Sequence, residues 1–186
     1  MPDAAVAERL WTIDELEKEF PDSVGYELED GILKERAVGV ESSRLASRLT
    51  RLVAPYFLET EPGETFGPDL GLAIWPDRPR NFRKADFVFI PAAHVTPEVR
   101  AGGHVRVAPA LVAEVVSPGD NAMELHTKVA DYLAAGVKLV WILYPVQREV
   151  VIFRIDGSTS VVRGDELLDG EDILPGFSVR ASAIFA

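Results

Sequence analysis

Four side chains in this sequence have the types and surroundings to do chemistry together: Glu27, Asp86, Glu114 and Lys128. Glu114 lies in the run Ala110-Leu111-Val112-Ala113-Glu114-Val115-Val116-Ser117, apolar but for that carboxylate and the final serine. A run of this length, rich in β-branched residues and closed by Pro118-Gly119-Asp120, reads as a strand buried on both faces. A carboxylate there must be neutral or must meet a cation, whether a lysine or a metal ion, because desolvating a lone charge is costly. Asp86 opens a second apolar run, Ala85-Asp86-Phe87-Val88-Phe89-Ile90. If the two runs are neighbouring strands, their carboxylates converge, and paired hard oxygens suit Mg²⁺ or Mn²⁺, with water and substrate phosphate completing the shell. Lys128 falls on the helix expected after the Glu114 strand, one position before the apolar Val129, where its ammonium can turn back toward the sheet.

The elements that must position these groups follow from pattern and punctuation. Thr12-Ile13-Asp14-Glu15 is a capping box that opens a short helix to Phe20, ended by Pro21. Val24 to Glu35 reads as two strands around the turn Glu29-Asp30-Gly31. Leu45, Leu49, Leu52, Val53, Tyr56 and Phe57 repeat at helical spacing over 42–59, with Arg44, Arg48 and Arg51 on the wet face and Pro55 as a bend or early end. Residues 65–75 and 85–90 read as strands with a Pro- and Arg-rich loop, Trp75 to Lys84, between them. Residues 92–109 read as irregular, with Pro97, Gly102, Gly103 and Pro109 as punctuation. A helix from Ala122 to Ala135 ends at Gly136, and strands follow at 138–143, 148–155, 160–163 and 178–181. A helix between two continuously apolar strands is the pattern of a right-handed βαβ crossover, whereas the first half reads as hairpins. The fold class expected is α/β, a mixed β-sheet flanked by helices.

Composition narrows the chemistry. The 186 residues fit one domain, 1–186, with 1–11 as a flexible N-terminal extension. No cysteine is present, which removes disulfides, thiolate nucleophiles and Cys-based zinc or iron–sulfur sites. No apolar stretch has the length of a signal peptide or a membrane span, so the chain reads as cytoplasmic with no membrane partner. The net charge of −11 argues against a broad basic footprint for nucleic acid, although a local basic strip or a bound divalent ion can offset it. Arg78, Arg80, Arg83 and Lys84, beside Asp86, form such a strip and could approach a phosphate backbone. His94, His104 and His126 lack zinc-site spacing and read as surface residues, and neither a nucleophile elbow nor a phosphate-binding loop is present.

The order and spacing of several segments carry a resemblance. Tyr26-Glu27-Leu28-Glu29-Asp30-Gly31, Arg83-Lys84-Ala85-Asp86-Phe87-Val88, Leu111 to Pro118, Lys128 to Val137 and Val140-Trp141-Ile142-Leu143 together resemble the Uma-type putative restriction endonucleases, bacterial proteins of the PD-(D/E)XK nuclease superfamily. The resemblance runs from Thr12 through the terminal Leu174-Pro175-Gly176-Phe177. It implies a restriction-endonuclease-like fold and a metal-dependent phosphodiesterase site. Asp86 and Glu114 would hold Mg²⁺ or Mn²⁺, Glu27 a second ion or a water ligand, and Lys128 would orient water or stabilise charge on the phosphorane. Arg83, Lys84 and Ser117 would contact phosphate. The implied partner is nucleic acid, DNA foremost, and the implied assembly a homodimer with one site per strand. The sequence departs from the family pattern where Val116 replaces the core motif's lysine, a role the resemblance gives to Lys128. It departs also at Ala85 for the usual proline, at Glu41-Ser42-Ser43 for a His-Gln pair, and at Tyr144 for the Asp before Pro145. A catalytically idle nuclease fold used for binding or assembly is the competing expectation, and a phosphoesterase of small molecules the third.

Overall fold

The computed structural model describes residues 9–20, 25–36 and 39–186. Its centre is a six-stranded sheet built from β3 (Gly63–Phe66), β6 (Phe87–Pro91), β7 (Leu111–Val115), β8 (Leu139–Tyr144), β9 (Glu149–Arg154) and β10 (Thr159–Arg163). Their spatial order is β10-β9-β8-β7-β6-β3. The β7–β8 pair is parallel and every other pair antiparallel, so the sheet is mixed. The parallel pair is joined by α4 (Ala122–Ala134), which makes the expected crossover. Asn121 caps α4 by accepting a hydrogen bond from the Met123 N–H, and Gly136, at φ +98°, ends it.

Strand alternation divides the core between the two faces. Leu111, Ala113 and Val115 of β7 point toward α2 (Val40–Thr60), where Leu45, Leu49 and Val53 form one buried stripe four residues apart. Val112 points the other way, with Val88, Val140 and Ile142, against Val129 and Tyr132 of α4. Pro55 sits inside α2 without ending it. Five-residue β7 is buried at every position, which fits a run that is apolar apart from Glu114.

Smaller units surround the sheet. Helix α1 (Ile13–Glu19) carries the capping box expected at Thr12 and Glu15, and buries Ile13 and Leu16 beside Trp11. Strands β1 (Tyr26–Glu29) and β2 (Ile32–Glu35) form the hairpin, with Asp30 and Gly31 both at positive φ as a tight two-residue turn requires. Strands β11 (Leu167–Gly170) and β12 (Leu174–Arg180) form a second hairpin, followed by α5 (Ala181–Ile184).

Several local expectations change. The single strand expected over 65–75 is β3 and a two-residue β4 (Gly71–Leu72), which pairs with β5 (Arg83–Lys84). The irregular stretch 92–109 contains a 3₁₀ turn at Ala92–His94 and one helical turn, α3 (Pro97–Arg100). Of the segment expected as an extension, residues 1–8 lie outside the described residues, but Trp11 is buried and hydrogen-bonded to the Gly31 carbonyl. Pro21 and Val24 also lie outside the described residues. Arg48 is tied to the Ala183 carbonyl by its Nε at 2.5 Å, so it anchors α5 rather than facing solvent. No described helix is long and apolar enough to cross a membrane.

His94 and His126 are exposed, but His104 is not a surface residue. Its ring packs against Phe82, and its Nδ1 lies 2.7 Å from Glu17 Oε1, which also accepts the His104 backbone N–H. Burial pushes the His104 imidazole below its ordinary value despite the Glu17 carboxylate beside it. A histidine depressed in the folded state disfavours the fold once the unfolded chain takes up a proton. Stability from this residue is therefore full above pH about 6.5 and lost as pH falls through that value toward the lower folded one. His104→Gln should flatten the fall in melting temperature between pH 7 and 5; an unchanged slope would show that the pair carries no acid sensitivity.

Candidate functional site

Strand register sets two carboxylates side by side. In the antiparallel β6–β7 pair Phe87 faces Ala113 and Val88 faces Val112, and Asp86, in the bend just before β6, therefore comes to lie beside Glu114. The Asp86 N–H donates to the Ala113 carbonyl at 3.0 Å and ties the bend to β7 beyond the paired stretch. Glu114 shares the parity of Val112 and so points toward α4, where Lys128 and Tyr132, four residues apart, present the same helix face.

Glu114 is 5 % exposed, and its two oxygens face different partners. Oε1 accepts the Tyr132 hydroxyl at 2.9 Å and lies 3.4 Å from Lys128 Nζ, whereas Oε2 lies 4.0 Å from Arg36 Nη2. Asp86, also 5 % exposed, receives the same Arg36 nitrogen on Oδ1 at 2.5 Å and the Val115 N–H on Oδ2 at 2.7 Å. Glu27 comes from the hairpin: Oε1 lies 3.2 Å from Lys128 Nζ and accepts the Lys84 N–H at 2.9 Å. Glu27, Asp86, Glu114 and Lys128, from a hairpin, two strands and a helix, therefore meet at one place.

Their electrostatics follow from burial. Desolvation pushes the Glu114 carboxyl up to about 7; Lys128 and Arg36 oppose the rise, while Asp86 and Glu27 add to it. Burial works against the charge on Lys128, but Glu114 and Glu27 together hold it above the ordinary lysine value. Burial and the Glu114 carboxylate keep the Tyr132 hydroxyl protonated, so it serves as a hydrogen-bond donor. The group opens on a cleft of about 380 Å³, whose lining includes Glu27, Arg36, Asp86, Glu114, Ser117 and Lys128.

The expected phosphate contacts divide. Ser117 and Arg83 line the cleft, but the Arg83 guanidinium is already committed to Asp131 Oδ2 at 2.9 Å and lies 3.8 Å from Glu29. Lys84 is buried at 3 % exposure outside the cleft lining, where desolvation lowers its ammonium below the usual lysine value. Arg78 joins Arg83 on Asp131, and Trp75 Nε1 donates to the Asp131 carbonyl, so the basic loop is pinned onto α4 rather than left free. Arg80 is exposed.

Two contributors escaped the sequence reading. Tyr132 is four residues after Lys128, a spacing that would have placed both on one helix face. Arg36 follows β2 with no periodic or motif signal, and only the folded hairpin brings it to Asp86.

Whether these groups suit a divalent cation can be judged from the donors. Among the described residues no three Asp, Glu or His side chains enclose a common point tightly enough to hold an ion by themselves. Two hard carboxylates, Asp86 and Glu114, nevertheless address one cationic nitrogen, that of Arg36. A point of positive charge between two carboxylates that line an open cleft fits an ion held by one or two carboxylates with water filling the remaining positions.

A mixed sheet with the crossover helix on one face and α2 on the other, and acids at adjoining strand ends, defines the class. The fold is that of a crystal structure of a putative nuclease belonging to DUF820 from Anabaena variabilis ATCC 29413, matched with a TM-score of 0.76 at 16% identity over 94% of this chain and 97% of that one. The chain belongs to the Uma2 family, described as putative restriction endonuclease, whose model matches residues 12–182. No curated protein matches it.

The ion pairs make a signed prediction. Lys128→Met removes the ammonium between Glu27 and Glu114, and leaving buried carboxylates without their partner costs about 3–5 kcal/mol when they are charged. The loss should be largest at pH 8, where Glu114 is ionised, and smaller at pH 5, where it holds a proton. Urea denaturation at the two pH values checks this; equal losses at both would contradict it.

Proposed function

We propose that the protein is a divalent-metal-dependent endonuclease that hydrolyses phosphodiester bonds in DNA. The observation that carries the reading is the side-by-side placement of Asp86 and Glu114 at buried strand ends, aimed at one cationic point in an open cleft. Membership of a family described as putative restriction endonuclease supports it, as does the fold shared with the Anabaena variabilis protein.

Asp86 and Glu114 are the residues to hold Mg²⁺ or Mn²⁺, with Glu27 as a further carboxylate beside them. Such an ion would supply Lewis acidity to the scissile phosphate and lower the pKa of a coordinated water. The remaining roles belong to the chain. Lys128, held cationic by Glu27 and Glu114, cannot act as a base; it places positive charge where the phosphorane gathers negative charge, and can orient the attacking water. Tyr132 fixes the orientation of the Glu114 carboxylate through its hydroxyl. Ser117 offers a hydroxyl to a phosphate oxygen at the cleft mouth, and Arg83 can contribute its field while bound to Asp131. Lys84, buried outside the lining, is left out of this set.

Seven carboxylates and four cationic side chains line the cleft, so it repels a polyanion until cationic charge is added. This favours an ion-dependent substrate complex. A homodimer would present two clefts to the two strands of a duplex; sedimentation velocity measures that.

A second reading has an observation of its own. Arg36 and Lys128 already pair with the three carboxylates, as would suit a catalytically idle fold used for binding or assembly. Incubation of supercoiled plasmid with the protein and Mn²⁺ or Mg²⁺ separates the two. Nicking or linearisation is expected, blocked by chelator, and reduced at least about a hundredfold by Asp86→Asn or Glu114→Gln. Failure of the folded wild-type protein to cut duplex or single-stranded DNA with either ion would favour the idle fold. Cleavage confined to a small phosphodiester would point to a small-molecule enzyme.

A further inference from the structure

Arg36 has no part in the chemistry proposed above, yet it is the cation in closest contact with the Asp86–Glu114 pair. Its Nη2 lies 2.5 Å from Asp86 and 4.0 Å from Glu114, its Nη1 donates to the Pro68 carbonyl at 2.9 Å, and its side chain is only 13% exposed. Its backbone is fixed as well, because the Arg36 N–H closes the base of the hairpin onto the Gly25 carbonyl at 2.7 Å. Asp86 and Glu114 hold its charge, against the cost of burial, above the usual arginine value. A guanidinium does not lose its proton in a protein, so this contact is broken by displacement and not by titration.

We propose that Arg36 is a resident place-holder for the divalent ion: its guanidinium occupies the position between Asp86 and Glu114 and must withdraw before a metal can bind there, so that Arg36 sets the metal affinity of the site. This rests on the reading of Asp86 and Glu114 as metal ligands. Two like charges set this close repel, and a cation between them offsets part of that repulsion. Arg36 does so at no cost in coordination chemistry, and an incoming ion gains only the difference between its own binding and that of the guanidinium. Lys128 does not compete in the same way, because it addresses Oε1 of Glu114 and the Glu27 carboxylate, not Asp86. The place-holder is carried by the β1–β2 hairpin, whose contacts with the rest of the fold include the Leu28–Phe82 bridge, the Glu27–Lys84 bond and the backbone bonds of Gly31 to Trp11 and Arg80.

The test is calorimetric titration of the full chain with MnCl₂ at fixed pH and ionic strength, with the Mn²⁺-induced shift in melting temperature as a second readout. Arg36→Met should bind Mn²⁺ about tenfold tighter or more than the wild type, a gain of about 1.4 kcal/mol. Arg36→Lys, which keeps a charge at the same place, should stay near the wild type. Arg36→Gln, neutral but still able to donate to the Pro68 carbonyl, should bind like Arg36→Met and carries the test if the methionine variant does not fold. Asp86→Asn should abolish binding in every background. If the neutral variants bind no tighter than the wild type while Asp86→Asn still abolishes binding, Arg36 is no place-holder and the metal reading stands. If neither the wild type nor a folded neutral variant binds Mn²⁺, the metal reading falls and takes the place-holder with it.

Discussion

Two buried carboxylates brought together where the chain enters β6 beside β7 are the constraint on which the rest of the structure depends. Asp86, just before β6, and Glu114 of β7 meet where an ordinary sheet would carry a β-branched or aromatic pair. Their repulsion, added to the loss of hydration, would drive one of them neutral if nothing compensated. The fold compensates from three directions. The hairpin sends in Arg36, α4 sends in Lys128 and Tyr132, and the backbone of β7 supplies the Val115 N–H. Compensation is incomplete at Glu114, whose carboxyl stays raised to about 7, so the site sits near the balance between charged and neutral.

That requirement explains features which look unrelated in the chain. Helix α4 must cross β7 with one face turned toward Glu114, and the parallel β7–β8 connection delivers it there. The helix must also be held at a fixed height along the strand. The Arg78 and Arg83 contacts with Asp131, and the Trp75 indole on the Asp131 carbonyl, clamp it to the loop that leads into β5 and β6. Strand β5, which that loop enters, supplies the Lys84 N–H that orients Glu27. A basic segment that in isolation suggests phosphate contact thus serves mainly to lock the helix and hairpin around the acids.

How much of this was legible beforehand depended on whether the signal was local. The mixed sheet, the crossover, the capping box at Thr12 and the helix end at Gly136 all arise from patterns within a few residues, and all are present. The juxtaposition of Asp86 and Glu114 required only that two apolar strands be neighbours. Arg36 was not legible, since its importance lies in a contact between residues 50 positions apart made by a hairpin whose docking no local pattern encodes. Lys84 misled for the complementary reason. A lysine in a Pro- and Arg-rich stretch reads as exposed, but the β4–β5 bridge and the packing of Phe82 and Ala85 beside it turn it inward. His104 misled in the same manner, because its burial comes from the docking of α1 and not from its own neighbours in sequence.

The acidic character of the chain then takes on a specific meaning. A protein of net charge −11 gains nothing from long-range attraction to a polyanion, and its cleft carries more carboxylates than cations. On the proposed function, a nuclease with this charge would not rely on a basic surface to hold substrate in the absence of metal. The added charge of a bound ion would have to bring the phosphate to the site, so substrate binding and the assembly of the reactive centre would be coupled through one event. On the same reading, non-specific attachment to nucleic acid would be weak without the ion, and that weakness would itself restrain cutting.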